Sequence, residues 1–281
     1  MKKIFNLIFL TVLIVSCKQN KKIEAENTPT VHTELYGNWV GNFIAKTYKE
    51  NTEFVYSNKL NIKITNISHD GKISAISVVA GNKRRLTGTF DSTLYKVVLK
   101  EPGTNKYDGE FQFTFSGNSI HGEWNAYDTS IPVTKRIYNL TKMQFVYNEI
   151  LMLPDEEAYV DYYNSKMQSV EIDSGLISNE KVYRSASDKI LKINASTTLL
   201  IEDSLKNLKK LDLEIIRNTI FARHGYTFKK KSVRQFFDPV EWYVPMYDDV
   251  KDKLTEIEIK NIALLSRFEK YAEDNYDTFG R

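Results

Sequence analysis

Gly109-Glu110-Phe111-Gln112-Phe113-Thr114-Phe115-Ser116-Gly117-Asn118-Ser119-Ile120 is the stretch that decides the fold of the first half of the chain. Strict alternation puts Phe111, Phe113 and Phe115 on one face and Gln112 and Thr114 on the other, the period of a strand with one buried side. Ser116-Gly117-Asn118-Ser119 then closes a tight hairpin towards Ile120 and Glu123, because Gly and Asn accept the positive φ that short reversals demand. The same texture runs outward in both directions, from Leu35 to about Met143. Candidate strands are Gly37 to Thr47, Phe54 to Ser57, Lys59 to Ser68, Ile73 to Ala80, Arg85 to Asp91, Leu94 to Lys100, Gly109 to Ser116, Ser119 to Tyr127 and Lys135 to Thr141. Asp70-Gly71 and Gly81-Asn82 supply further turns. One buried face repeated over so many short segments requires an antiparallel sheet that curls over itself or closes as a small barrel.

Tyr36-Gly37-Asn38-Trp39, at the start of the first strand, resembles the Gly-x-Trp opening of lipocalin-like barrels. That resemblance implies a Trp39 that plugs one end, with a late-strand arginine stacked on it. Arg136, in Lys135-Arg136-Ile137-Tyr138, is the candidate partner, such a stack contributing about 0.5–2 kcal/mol depending on burial. It also implies a cup that carries a small apolar ligand. Gly122-Glu123-Trp124 offers a second glycine and tryptophan, so a simple meander with both tryptophans in its core is the alternative.

Ahead of this domain, Lys2 and Lys3 precede an apolar run from Ile4 to Val15, broken by Asn6 and Thr11 and ended by Ser16-Cys17. The run is too short for a permanent bilayer span. It resembles a bacterial lipoprotein signal with its lipobox, which implies removal of residues 1–16 and acylation of Cys17, palmitate included. The protein is then expected in the cell envelope, lipid-anchored, with Lys18 implying the outer membrane of a Gram-negative cell. Residues 17–34 read as the lipidated cysteine and a polar tether.

Loss of Lys2 and Lys3 takes the 39 basic residues to 37 against 36 acidic ones, so the formal charge falls from +3 to +1. No basic stripe with interleaved aromatics is present, which argues against nucleic acid as a partner. Cys17 is the single cysteine, so neither a disulfide nor a thiolate site is expected.

Residues 144–204 show no clear period and read as an acidic connector. Pro154-Asp155-Glu156-Glu157 opens a possible short helix, and Val182 to Leu200 has room for one or two strands or the edge of the next domain. From Leu205 to Phe228 the pattern predicts a helix that ends at His224-Gly225, glycine being the usual residue just past a C-terminus. Leu208, Leu211, Ile215 and Ala222 lie on one side and Leu213, Ile216 and Ile220 on nearly the opposite one, so the helix is sandwiched. Thr255 and Glu258 form a capping box that opens a last helix. Its inner stripe is read as Ile257, Asn261, Leu264, Leu265, Phe268 and Tyr271, packed antiparallel on the first helix around Phe228, Phe236, Phe237 and Trp242.

Arg217-Asn218-Thr219-Ile220-Phe221-Ala222-Arg223-His224-Gly225-Tyr226-Thr227-Phe228 resembles the defining segment of the YARHG domain, a small extracytoplasmic module of bacterial envelope proteins. Phe236-Phe237, Trp242-Tyr243 and the last helix agree with it, while Phe221 and Thr219 stand where a tyrosine and an acidic residue are usual. The resemblance implies a compact helical module over residues 205–271, followed by a tail at 272–281. The whole chain is therefore expected to be α+β with two domains.

Four histidines, His32, His69, His121 and His224, are scattered singly, and no metal spacing, phosphate loop or nucleophile elbow is present. No cofactor or metal is expected. His224 is read as a cap on the last helix carbonyls rather than a general base. Arg217 and Asn218 are read as buried connectors around Trp242 rather than ligand clamps. Lys229-Lys230-Lys231 beside His224 is a possible anion site, against neutralisation by the acidic connector and the last helix. The leading expectation is a non-enzymatic module that binds peptidoglycan, polysaccharide or an envelope protein. Its candidate contacts are Arg217, Asn218, Arg223, His224, Tyr226 and Trp242. A barrel carrier using Trp39 and Arg136 is the alternative, and an envelope hydrolase the third.

Overall fold

The computed structural model of the chain describes residues 31–156, 158–173 and 176–272. The expected signal, Cys17 and the tether up to residue 30 lie outside the described residues, as does the tail from 273. Among the described residues no helix is long and apolar enough to cross a membrane.

The first domain is a closed antiparallel barrel of eight strands, each paired with its neighbour in sequence. They are β1 (Gly37–Tyr48), β2 (Ser57–Ile67), β3 (Lys72–Val79), β4 (Asn82–Asp91), β5 (Lys96–Lys100), β6 (Gly109–Ser116), β7 (Ser119–Ala126) and β8 (Val133–Met143). β1 closes on β8 with Gly41 opposite Leu140. The alternation read in the sequence is the inside-outside alternation of the wall. Trp39, Phe43, Leu60, Ile62, Ile64, Phe111, Phe113, Phe115 and Tyr138 all belong to the buried interior. Ring contacts link them, Trp39 to Phe115 at 5.1 Å and Phe43 to Phe111 at 5.9 Å between centroids. The middle of the barrel is thus side-chain filled.

The segment expected as a strand over Phe54 to Ser57 is a loop up to residue 56, and nine candidates resolve into eight strands. Its carbonyls are taken by other partners. Val55 and Tyr56 oxygens accept from the Arg136 guanidinium at 2.9 and 3.2 Å, and the Tyr56 oxygen also accepts from the Ala45 amide.

The expected Trp39–Arg136 stack does not form. Antiparallel register sets Trp39 opposite Lys142 and Arg136 opposite Ala45, at opposite ends of the barrel. Lys142 Nζ sits over the Trp39 ring at 5.6 Å, while the indole donates to the Leu35 oxygen at 2.9 Å. Arg136 stacks instead on Phe43 at 5.2 Å, close to Trp124. Each end therefore has its own tryptophan.

Of the segment read as a connector, residues 160–185 hold a two-stranded antiparallel ladder, β9 (Val160–Asp173) and β10 (Leu176–Ser185). Leu153, Ile190 and Ala195 lie in the second hydrophobic core. That core gathers on α1 (Glu202–Leu205), α2 (Lys210–Arg223), α3 (Lys231–Phe237) and α4 (Glu256–Glu269).

The single helix expected from Leu205 breaks before Lys210. The Asp212 carboxylate accepts from the Lys209 amide at 3.0 Å and from the Ser187 amide and hydroxyl at 2.7 and 2.9 Å, satisfying free amides at a new start. α2 ends at Arg223, and Gly225 follows with φ +71°, a conformation that glycine adopts at low cost. Both of its apolar stripes are buried, Leu211 and Ile215 as well as Leu213 and Ile220, which is the sandwich the sequence describes.

α4 opens with the expected capping box, the Glu258 amide donating to Thr255 Oγ1 at 3.2 Å and the Thr255 amide to Glu258 Oε2 at 2.9 Å. Its inner face differs from the expected stripe. Glu258, Asn261 and Leu265 are fully buried, whereas Ile257 and Tyr271 are 37% and 68% exposed. Polar partners cause the rotation: Asn261 Nδ2 donates to the Ala195 and Thr198 oxygens at 2.8 Å each. Arg217 reaches Glu269 and His224 reaches Glu258, so the chain retreats along α4 as it advances along α2, and the two helices run antiparallel.

The domains dock on β2, through Lys59 and Asn61 of its outer face and through Asn58, which shares the inward parity of Leu60 and Ile62 and lies at the barrel mouth. Asn58 accepts from Arg234 Nη1 at 2.7 Å, Lys59 Nζ donates to the Val240 oxygen at 2.8 Å, and Asn61 Nδ2 donates to the Pro245 oxygen at 3.0 Å. Burial pushes the Lys59 amine down to about 8, against the pull of Asp238 and Glu241. At the β3–β4 turn, Gly81 has φ +80° and lies so close to Phe228 and Lys229 that a Cβ would sit 2.7 Å from the Phe228 oxygen. A side chain there would force the domains apart.

Candidate functional site

Two constellations emerge around the segment 217–228, one closed and one open.

The closed one centres on the Glu258 carboxylate. His224 Nε2 lies 2.7 Å from Oε2, and Ser196 Oγ and Tyr147 OH donate to Oε1 at 2.6 and 3.0 Å. The Tyr147 and His224 rings stack at 4.2 Å, 13° from parallel. Arg223 completes the shell, its Nε donating to the Leu151 oxygen at 2.7 Å and Nη1 to Ser196 Oγ at 2.9 Å. Burial alone would raise the Glu258 carboxyl, but the bonds from His224, Ser196 and the Thr255 amide outweigh it and hold the group down at about 2. Burial, helped by the Glu258 charge, lifts the Tyr147 phenol to about 12, so it remains a donor. Arg223, lowered by burial to about 10, remains charged at neutral pH.

A histidine, a carboxylate and a serine hydroxyl have therefore met, but not as a nucleophile with its base. Ser196 bonds to the carboxylate and the guanidinium, and the His224, Glu258 and Ser196 side chains are buried. A relay of this kind ties the segment around Ser196 to both helices. His224 turns to Glu258 rather than capping its own helix carbonyls, because a buried carboxylate is the stronger acceptor.

The open constellation is a cleft of about 730 Å³ between α2, α3, the loop before α3, the β9–β10 ladder and the segment before α4. Phe221, Tyr226, Phe228 and Phe236 contribute rings, with Phe221 and Tyr226 at 5.9 Å and Tyr226 and Phe228 at 5.2 Å. Arg217 enters as a fork on Glu269, Nε and Nη2 donating at 2.8 and 3.2 Å to its two oxygens. Asn218 lies beside it. Arg184 of β10 pairs with Glu214 at 2.6 Å and Asp161 at 3.3 Å. Lys229 and Lys230 also line the cleft, and among the described residues neither has an ion-pair partner. Lys231 points away to Glu53 of the barrel.

The structure thus separates the candidate residues. Arg217, Asn218 and Tyr226 meet in the cleft, while Arg223 and His224 belong to the buried relay. Trp242 sits apart, its indole donating to the Met152 oxygen at 2.8 Å, and Arg217 does not approach it. Sequence reasoning missed Arg184, Phe228 and Phe236 as cleft residues and Glu258 as a hub. The capping box marked Glu258, but its second role arises from contacts 34 and 62 residues away in sequence. Among the described residues there is no group of histidines and carboxylates fit to hold a metal.

A search of curated proteins returns no match to the chain. Residues 187–270 match the model of the YARHG domain family. That range starts at Ser187, whose amide and hydroxyl hold the Asp212 carboxylate, and runs through α4. The C-terminal helical region of this chain is therefore similar, over those residues, to the YARHG domain.

Proposed function

We propose that this protein is a non-enzymatic binding protein of the bacterial cell envelope that takes an acidic glycan, of the peptidoglycan kind, in the cleft of its YARHG-like domain. The observation that carries this reading is the meeting of four aromatic rings with Lys229 and Lys230, which are in no ion pair among the described residues, the nearby Asp248 and Asp249 of the lining being paired with Lys83 and Lys251. Sugar rings pack their C–H faces on aromatic surfaces, and lactyl or peptide carboxylates seek ammonium groups. The arginines are already held by Glu214 and Glu269, so they shape the walls. The lysines are the groups left to meet a ligand. Closure of the His224–Glu258–Ser196 relay to solvent supports binding over hydrolysis.

Changing Lys229 and Lys230 together to alanine is expected to weaken retention of the protein on purified peptidoglycan about tenfold or more, equivalent to about 0.7 kcal/mol for each ammonium–carboxylate pair removed. Sedimentation with insoluble peptidoglycan measures it, at two salt concentrations, because exposed ion pairs fade with ionic strength. Equal retention of variant and native chain would remove the cleft from the reading. Alanine at Arg223 or His224 is a poor substitute for this test, since both are structural.

The envelope location rests on the resemblance of residues 1–17 to a lipoprotein signal. Cys17→Ser is expected to move the protein from the membrane to the soluble fraction. A variant that still fractionates with membranes would contradict acylation there.

A further inference from the structure

The geometry points to a second binding site, at the mouth of the barrel under the helical domain, for a small amphipathic carboxylate whose head meets Arg136 and Arg234 and whose apolar body lies on Phe43, Phe111 and Trp124. It is separate from the cleft of the proposed function, and either can fail alone. The space measures about 390 Å³, towards the small end of the range of ligand pockets, about 300–1,000 Å³.

Arg84, Arg136, Lys231 and Arg234 line it with Glu53 and the buried Glu101, whose carboxylate lies 3.4 Å from Arg84, and the anions are not shared evenly among the cations. Arg136 is buried, and its bonds go to three backbone oxygens, of Phe43, Val55 and Tyr56; no carboxylate touches it among the described residues. Arg234, supplied by α3, shares Nη1 between Asn58 at 2.7 Å and Asp238 at 3.3 Å, while its buried Nε donates to nothing. The two guanidiniums are close enough that Arg234, after burial, helps to push Arg136 down to about 10. Asp238, the buried carboxylate beside Arg234, is itself lifted by burial to about 6 despite Arg234. The other cations of the mouth are spoken for, Arg84 by Asp108 at 2.6 Å and Lys231 by Glu53 at 3.2 Å.

A buried guanidinium that meets no carboxylate, as at Arg136, is costly, and the orphaned buried donor of its neighbour Arg234 adds to that cost. A carboxylate between them offsets both. It accepts in the plane of each guanidinium fork, including the unused Nε. Beneath the cations the surface changes to rings: Phe43 and Trp124 meet at 5.8 Å, and Ile131 and Val133 form a wall. The filled middle of the barrel limits depth, so the ligand is a short chain rather than a long lipid. An uncharged apolar molecule would leave the guanidiniums as they are.

Titration calorimetry with octanoate and, separately, octanol tests this on the chain from residue 17 on, carrying Cys17→Ser so that no detergent is needed. Octanoate is expected to bind one to one, and octanol at least about tenfold more weakly, the worth of a charged hydrogen bond. Arg234→Gln should weaken octanoate by a similar factor. Val55→Trp, at the rim of the space and leaving both arginines in place, should block octanoate and decides the matter where Arg234→Gln disturbs docking. Equal affinity for the two probes, undiminished binding to Val55→Trp, or no octanoate binding up to millimolar concentration would each overturn the site.

Discussion

Glu258→Gln is expected to lower the stability of the helical domain by about 3–5 kcal/mol, the usual cost of breaking a buried, hydrogen-bonded charge pair. Four donors converge on that carboxylate, from His224, Ser196, Tyr147 and the Thr255 amide. Glutamine keeps one oxygen and presents an amide to the rest, so donors face a donor in a dry site. Urea unfolding followed by helical ellipticity measures it. A loss below about 1 kcal/mol would mean that solvent reaches the relay, since exposed pairs are worth no more than that.

The same residue sets an acid limit. Its folded carboxyl is held at about 2 against an ordinary 4.5, so its contribution is complete above 4.5 and is lost as pH falls towards 2. A shift of this size corresponds to roughly 3 kcal/mol. Asp238 works with the opposite sign: raised to about 6 from 3.8, it favours the folded chain below 3.8, and that benefit is lost as pH rises through 6. Comparing native protein with Glu258→Gln at each pH cancels the Asp238 contribution. The difference in stability should be flat above pH 4.5 and shrink below it; a difference that does not change with pH would contradict the hub.

Trp39→Ala is expected to cost the barrel about 3–5 kcal/mol, the range for removing a large buried ring. Trp39 is 1% exposed, packs on Phe115 and caps its end through the Leu35 oxygen. The cavity has little means of collapse, because β1 is locked on both edges by β2 and β8. Trp39→Phe keeps a ring and loses the indole bond, and should cost clearly less. Denaturant midpoints of the two variants give the comparison, and equal midpoints would show that ring volume does not hold this end.

What could be read from the chain was local. Alternating Phe111, Phe113 and Phe115 gave the faces of β6 because side chains in a strand alternate whatever the partner is. Thr255 and Glu258 gave the start of α4 because a capping box closes within four residues. The two opposed stripes of α2 announced a sandwiched helix for the same reason. The cleft was legible only in part. Arg217, Asn218 and Tyr226 sit within one motif, whereas Arg184 arrives from β10 and Phe236 from α3.

An all-β first half, a helical second half and most of the faces that the elements bury are thus written in the order of the residues. Closure of the barrel, the partner of each tryptophan and the docking of the domains follow only from the folded arrangement. Asn58, Lys59 and Asn61 are the clearest case: polar residues of β2, Lys59 and Asn61 on its outer face and Asn58 at the barrel mouth, all buried under α3 and the segment after it. Periodicity records which side of an element is apolar, while docking depends on partners more than 170 residues away that leave no local trace.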